Sequence, residues 1–126
     1  MFDTKVTGAL TIARKLRADT RAVVFFSSIA SAFGSSGQAD YAAANDVLDK
    51  LAWSLRGRVS GRVVSINWGP WADGGMVSPE LQREYARRGL GLIAPDLGVQ
   101  ALIDELSYGS AGDAQVILTN TDPARL

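Results

Sequence analysis

The chain contains neither cysteine nor histidine, and these two absences remove much of the usual catalytic repertoire. Disulfides, thiolate nucleophiles, imidazole bases and most zinc sites are excluded, so no metal site is expected and acid–base chemistry falls to Tyr, Lys, Asp or Glu. Net charge is absent too: 13 Lys and Arg balance 13 Asp and Glu, and the basic residues are scattered rather than striped. That leaves no electrostatic footprint for a nucleic acid. No stretch approaches the roughly 18 to 20 apolar residues of a membrane span, and Met1-Phe2-Asp3-Thr4-Lys5 does not follow the basic-then-apolar order of a signal peptide. Neither nucleic acid nor membrane is expected as a partner, and a cytoplasmic setting is the expectation. What is present, 126 residues of which 47% are hydrophobic, suffices for one core and matches the composition of an α/β protein.

Apolar spacing at Val6, Leu10, Ala13 and Leu16 predicts a helix over residues 3–18, and Asp19-Thr20-Arg21 then turns the chain into a strand over 22–27. A second helix, residues 40–55, carries Ala44, Val47, Leu48, Leu51 and Leu55 as a broad apolar stripe and stops at Gly57; Trp53 is assigned to the core. Arg62-Val63-Val64-Ser65-Ile66-Asn67-Trp68 reads as a strand covered on both faces. After the turn-rich Gly69-Pro70-Trp71-Ala72-Asp73-Gly74-Gly75-Met76, Ser78 and Pro79 open a short polar helix over 79–88, and a fourth helix spans 95–106 before a last strand over 114–118. This alternation argues for right-handed crossovers and a parallel sheet of about three strands and four helices. So small a sheet leaves exposed edges, which predicts a part of a larger domain and a tendency to self-associate.

The chemistry concentrates in residues 27–45, where a strand ends at Ser28, a Gly/Ser loop follows, and the next helix carries Tyr41 and Asn45 four residues apart on one face. A hydroxyl at a strand's C-terminal end facing a phenol and an amide is how open α/β sheets present groups to a ligand. Each of these residues alone has an ordinary structural explanation: strand-end serines form turns, helix tyrosines pack, and Lys5 by itself carries no signal. Their joint spacing points to a site.

Taken with Lys5, the sequence resembles the ketoreductase domains of polyketide synthases, a branch of the short-chain dehydrogenase/reductase superfamily, over nearly its whole length. The matching segments are Thr4-Lys5-Val6-Thr7-Gly8-Ala9, Phe26-Ser27-Ser28-Ile29-Ala30, Gly37-Gln38-Ala39-Asp40-Tyr41-Ala42-Ala43-Ala44-Asn45 and Asn67-Trp68-Gly69-Pro70-Trp71. The wider superfamily has a lysine four residues after the tyrosine; here Asn45 occupies that place and the lysine lies upstream at Lys5, as in the ketoreductase branch. The resemblance implies a partial Rossmann-like fold and NADPH-dependent reduction of a β-ketoacyl thioester carried by an acyl carrier protein. It implies Tyr41 as proton donor, Ser28 as hydrogen-bond donor to the same carbonyl oxygen, and Asn45 as the residue that holds lysine or water in register. Phenols titrate near about 10, so a neighbouring cation is needed, and Lys5 is that cation. Lys5 and Tyr41 would also meet the nicotinamide ribose, and backbone groups of Asn67, Gly69, Pro70 and Trp71 the carboxamide. Residues 76–89 resemble the mobile helix over the substrate, and Arg83, Arg87 and Arg88 are candidates for meeting an acidic carrier protein.

The sequence departs from the family pattern in more than one respect. It contains no Gly-x-Gly-x-x-Gly turn to receive the dinucleotide pyrophosphate. The upstream loop that helps predict product stereochemistry is also missing, and Phe33 stands eight residues before Tyr41, where one stereochemical class has Trp. The expectation is therefore the C-terminal catalytic part of one ketoreductase domain, residues 1–126, as a truncated product or one piece of a split enzyme that pairs with the remainder of a polyketide synthase or a complementary half. The alternative is a non-catalytic α/β fragment that packs with another polypeptide.

Overall fold

The computed structural model describes residues 2–72 and 78–126. Elements run α1 (Phe2–Lys15), β1 (Ala22–Ser28), α2 (Ile29–Phe33), α3 (Ala39–Leu55), β2 (Arg62–Trp68), α4 (Pro79–Arg87), α5 (Pro95–Tyr108) and β3 (Gln115–Leu118), with a 3₁₀ turn at Pro123–Arg125. The strands form one parallel sheet in the order β1-β2-β3. The fold is thus α/β, as the alternation of apolar periods predicts, and partially Rossmann-like, as the resemblance implies. No helix among the described residues is long and apolar enough to cross a membrane.

The chain divides into two compact units, the first comprising Met1–Asn67 with Ser110–Val116 and the second Trp68–Gly109 with Ile117–Leu126. In the first, Val23 and Phe25 of β1, Val63 of β2, Leu48, Ala52 and Leu55 of α3 and Ala9 of α1 make one buried cluster. Each large aliphatic side chain buried there contributes about 1.5–3 kcal/mol relative to exposure. Two expectations about this core are corrected. On α1 Ala9 is the buried residue and Ala13 and Leu16 pack against the cluster as expected, while Leu10, expected on the same face, is exposed. Trp53 is 41% exposed, since it lies off the Ala44, Leu48, Ala52 and Leu55 stripe. Its indole N–H instead donates to Gln115 Oε1 at 3.1 Å and Arg56 stacks on its ring at 4.9 Å.

Local chemistry sets the ends of the elements. α1 stops three residues earlier than its apolar period predicts, because Thr20 returns its hydroxyl and its N–H to the Arg17 carbonyl at 2.6 and 3.0 Å and so builds a turn. The Gly/Ser stretch after β1 contains the five-residue α2. Ser28 caps it by accepting the Ala30 N–H at 3.1 Å, and Gly34, at φ 79°, closes it with an N–H to the Ala30 carbonyl at 2.8 Å. Ser28 thereby ends a strand and starts a helix.

In the second unit Trp71 pairs with Ile93 through an isolated parallel bridge, and its ring lies 4.8 Å from that of Trp68. Gly98 of α5 makes room for it, since a Cβ there would fall 2.3 Å from the indole. Helix α4 is capped by Ser78, which accepts the Leu81 N–H at 3.2 Å, and has no buried residue.

Gly61, at the entry to β2, sits so close to the preceding turn that a Cβ would lie 2.0 Å from the Arg21 carbonyl oxygen. Backbone, unlike a side-chain tip, cannot step aside cheaply. Gly61→Ala is expected to lower the unfolding free energy by about 1–3 kcal/mol, read as a reduced urea midpoint; an unchanged midpoint would refute this tight approach.

Candidate active site

Lys5, Tyr41 and Asn45 meet in the first unit through the packing of α1 on α3. Lys5 Nζ donates to Asn45 Oδ1 at 2.5 Å and stands 5.2 Å from the centroid of the Tyr41 ring. The Asn45 amide in turn donates to the Tyr41 carbonyl at 2.9 Å, one helical turn back. The i, i+4 spacing seen in the sequence therefore fixes the amide oxygen toward Lys5. Asn45 is fully buried, whereas Lys5 and Tyr41 are half-buried. Burial pushes the Lys5 ammonium below its ordinary pKa of 10.5, with the negative charge of Asp49 acting in the opposite sense.

Ser28 joins this group indirectly. No hydrogen bond links its hydroxyl to Tyr41 among the described residues; its oxygen accepts the Ala30 N–H, so its proton is not used in the cap. Its carbonyl is held by the neighbouring polar cluster, receiving Asn67 Nδ2 at 3.0 Å with Ser31 Oγ 2.8 Å away. Ser27 completes the link by donating its hydroxyl to the Asn45 carbonyl at 3.2 Å and accepting Asn67 Nδ2 at 3.1 Å.

That cluster has Asp49 at its centre, a residue not singled out in the sequence. The carboxylate is fully buried and accepts from Ser31 Oγ and Ser65 Oγ at 2.6 Å each, from Asn67 Nδ2 at 3.0 Å and from Gln115 Nε2 at 3.3 Å. One signal pointed to it: Tyr41, Asn45 and Asp49 recur every four residues, which puts a charge inside an otherwise apolar stripe. Asn67, expected beside a cofactor, is also fully buried with its side chain committed to this cluster, so any contribution to a ligand falls to its backbone.

Gly69, Pro70 and Trp71 belong to the second unit. The Gly69 N–H donates to the Leu118 carbonyl at 2.8 Å and the Pro70 carbonyl accepts from the Ile93 N–H at 2.7 Å. Of the expected covering segment, residues 78–89 contain α4, while Asp73, Gly74, Gly75, Met76 and Val77 lie outside the described residues. Arg87 and Arg88 both pair with Glu84, Arg88 at 2.9 Å, and Arg83 is exposed.

The donor set of the first unit fits the nicotinamide-ribose end of a dinucleotide. Lys5 has three N–H donors and spends one on Asn45, and the Tyr41 hydroxyl has no hydrogen-bond partner among the described residues. Lys5 and Tyr41 are the residues that would hold it. Among the described residues there is no group of three or more metal-ligating side chains.

The fold is that of short-chain dehydrogenase/reductases, and within that class the chain is similar to solved ketoreductases. One of these, PlmKR1, the ketoreductase from the first module of phoslactomycin biosynthesis in Streptomyces sp. HK803, superimposes with a TM-score of 0.85 at 39% identity, over 96% of this chain and 27% of that one. The KR domain family matches residues 1–73, and the chain belongs to this family of polyketide synthase ketoreductase domains. It is 41% identical to polyketide synthase GfsA of Streptomyces halstedii over 111 residues, 86% of this chain and 2% of that protein. It is 42% identical to erythronolide synthase EryA3 of Saccharopolyspora erythraea over 106 residues, 83% of this chain and 3% of that protein. The chain thus spans a small share of each synthase and about a quarter of the solved ketoreductase.

The lowered Lys5 pKa has a consequence for stability. The folded chain releases this proton at lower pH than the unfolded chain, so between the two midpoints the unfolded state binds more protons and stability rises with pH. Relative to Lys5→Met, the wild type is expected to gain stability from its folded midpoint up to 10.5. Urea midpoints of both chains taken from about pH 8 to about pH 11 check this, and a difference that shrinks over that window would contradict the sign.

Proposed function

We propose that this chain carries the catalytic part of a ketoreductase that reduces a β-ketoacyl thioester, borne by an acyl carrier protein, to the hydroxyl at the expense of NADPH. The observation that carries this reading is the contact of Lys5 Nζ with Asn45 Oδ1 at 2.5 Å beside the Tyr41 ring. That contact orients an ammonium next to a phenol, as proton donation to a forming alkoxide requires.

When bound, the nicotinamide supplies a hydride. The remaining chemistry is assigned to the chain's own side chains. Tyr41 gives its phenolic proton to the alkoxide oxygen, and Lys5 stabilises the phenolate left behind. Ser28, with its hydroxyl proton free of the α2 cap, donates a hydrogen bond to the same oxygen. Asn45 keeps Lys5 in place from a position that is wholly buried and doubly hydrogen-bonded. The backbone of Asn67, Gly69, Pro70 and Trp71 is assigned to the carboxamide, α4 to the substrate cover and the exposed Arg83 to the carrier protein. A cytoplasmic enzyme working with the remainder of a polyketide synthase is the setting this implies.

A second reading is favoured by the sequence's lack of a Gly-rich phosphate turn and by Phe26 of β1, 52% exposed on a strand at the edge of the described sheet. On that reading the isolated chain is a packing partner without turnover of its own. Titrating the purified chain with NADPH by fluorescence, alone and with a polypeptide supplying the Gly-rich half, separates the two. Ketone reduction that appears on adding that half supports the catalytic reading; binding without reduction in every combination leaves only packing. In the reducing assembly Tyr41→Phe is expected to lower turnover by about 10²- to 10⁴-fold, and near-normal rates would remove Tyr41 from its role.

A further inference from the structure

Asp49 does nothing in the chemistry just described, yet it is a fully buried carboxylate that no Lys or Arg side chain contacts among the described residues. Four side chains from three other parts of the first unit converge on it: Ser31 of α2, Ser65 and Asn67 of β2, and Gln115 at the start of β3. Counting protons shows what the arrangement achieves. Ser65 serves Oδ1, and Ser31 serves Oδ2 at 2.6 Å, its shorter contact. The two Asn67 N–H groups then serve Ser31 Oγ at 2.7 Å, their shortest contact, and the Ser28 carbonyl at 3.0 Å, with Asp49 Oδ2 at 3.0 Å and Ser27 Oγ at 3.1 Å also within reach, while the Ser27 proton goes to the Asn45 carbonyl. The Gln115 amide fixes the orientation of Asn67 by donating to its Oδ1 at 2.9 Å. Every donor reaches an acceptor, and the chain of bonds ends on Ser28 at one side and Asn45 at the other.

Asp49 is also the buried negative charge on the helix that Lys5 packs against. The other charged residues of α3 do not compete for that role: Asp46 pairs with Lys50 at 3.1 Å on the exposed side, and Asp40 is exposed at the helix start. On α1 itself Asp3, Arg14 and Lys15 are exposed.

We propose that Asp49 is a positioning residue of this site: its buried carboxylate balances the charge of the Lys5 ammonium and, through Ser31 and Asn67, holds the backbone of Ser28. The assignment rests on the ketoreductase reading for its functional meaning, but its test does not, because Lys5 can be titrated without substrate or cofactor. With the Lys5 side chain followed by ¹³C NMR, Asp49→Asn is expected to lower its titration midpoint by about one unit, while Asp49→Glu, which keeps the charge, restores it. Asp46→Asn removes an equal but exposed charge and is expected to change it far less. Equal shifts from Asp46→Asn and Asp49→Asn, or none from Asp49→Asn, would overturn the proposal. The unsubstituted chain gives a reading that needs no variant to fold. A fully buried lysine without a compensating charge falls by up to about 3–5 units, and Lys5 is half-buried, so a wild-type midpoint within about one unit of the ordinary lysine value supports the assignment and one further below it defeats it. Failure of ketone reduction with these midpoints as expected would count against the catalytic reading alone.

Discussion

A carboxylate moved out of water loses hydration worth several kcal/mol, and only donors placed around it can replace that loss. Asp49 meets this constraint with Ser31, Ser65, Asn67 and Gln115, and no two of the three contributing segments are adjacent in sequence. Hydrogen bonds weaken steeply with angle and distance, so satisfying one buried group from α2, β2 and β3 restricts how each of these elements stands against α3. The apolar cluster beneath has no such directionality. Val23, Phe25, Leu48, Leu55 and Val63 supply most of the free energy of burial, but contacts of that kind tolerate small slips that the polar cluster does not.

The candidate site is built on this division. Asn45 lies between the two regimes, next to Ala44 and Leu48 of the buried stripe yet bonded through its side chain to Lys5 and through its carbonyl to Ser27. The ammonium it holds is consequently placed by buried backbone and side-chain groups rather than by a mobile loop. Tyr41 and Lys5 remain half-buried, which leaves them open to a ligand while the groups that orient them are sealed from water. Preorganisation of this sort is what a developing negative charge on oxygen needs, since donors already in place cost no rearrangement as the charge forms. Membership of the ketoreductase family gives that arrangement its chemical context.

Much of the architecture was legible in the residues. β2 was readable to the residue, because Val63, Val64 and Ile66 form a β-branched run buried on both faces. The starts of α4 and α5 were marked by Pro79 and Pro95, whose fixed φ suits the first helical turn. What escaped was short or tertiary. Helix α2 has five residues, too few to show a period, and only the flanking Ser28 and Gly34 announce it. The end of α1 depended on Thr20 bonding back to Arg17, and the exposure of Trp53 on which side of α3 met the core.

By itself the sequence determined which side chains were available for chemistry and which of them shared a helix face, because Tyr41, Asn45 and Asp49 are tied by the geometry of a single helix. It equally determined that imidazole and thiolate chemistry were closed to this chain. Only the tertiary structure decided that Lys5, forty residues from Asn45, would bond to it, and that Asn67 would turn inward to Asp49 rather than outward. The physical reason is that helix periodicity is a local property carried by adjacent residues, whereas partners across the fold are selected by the requirement that every buried polar group be satisfied at once.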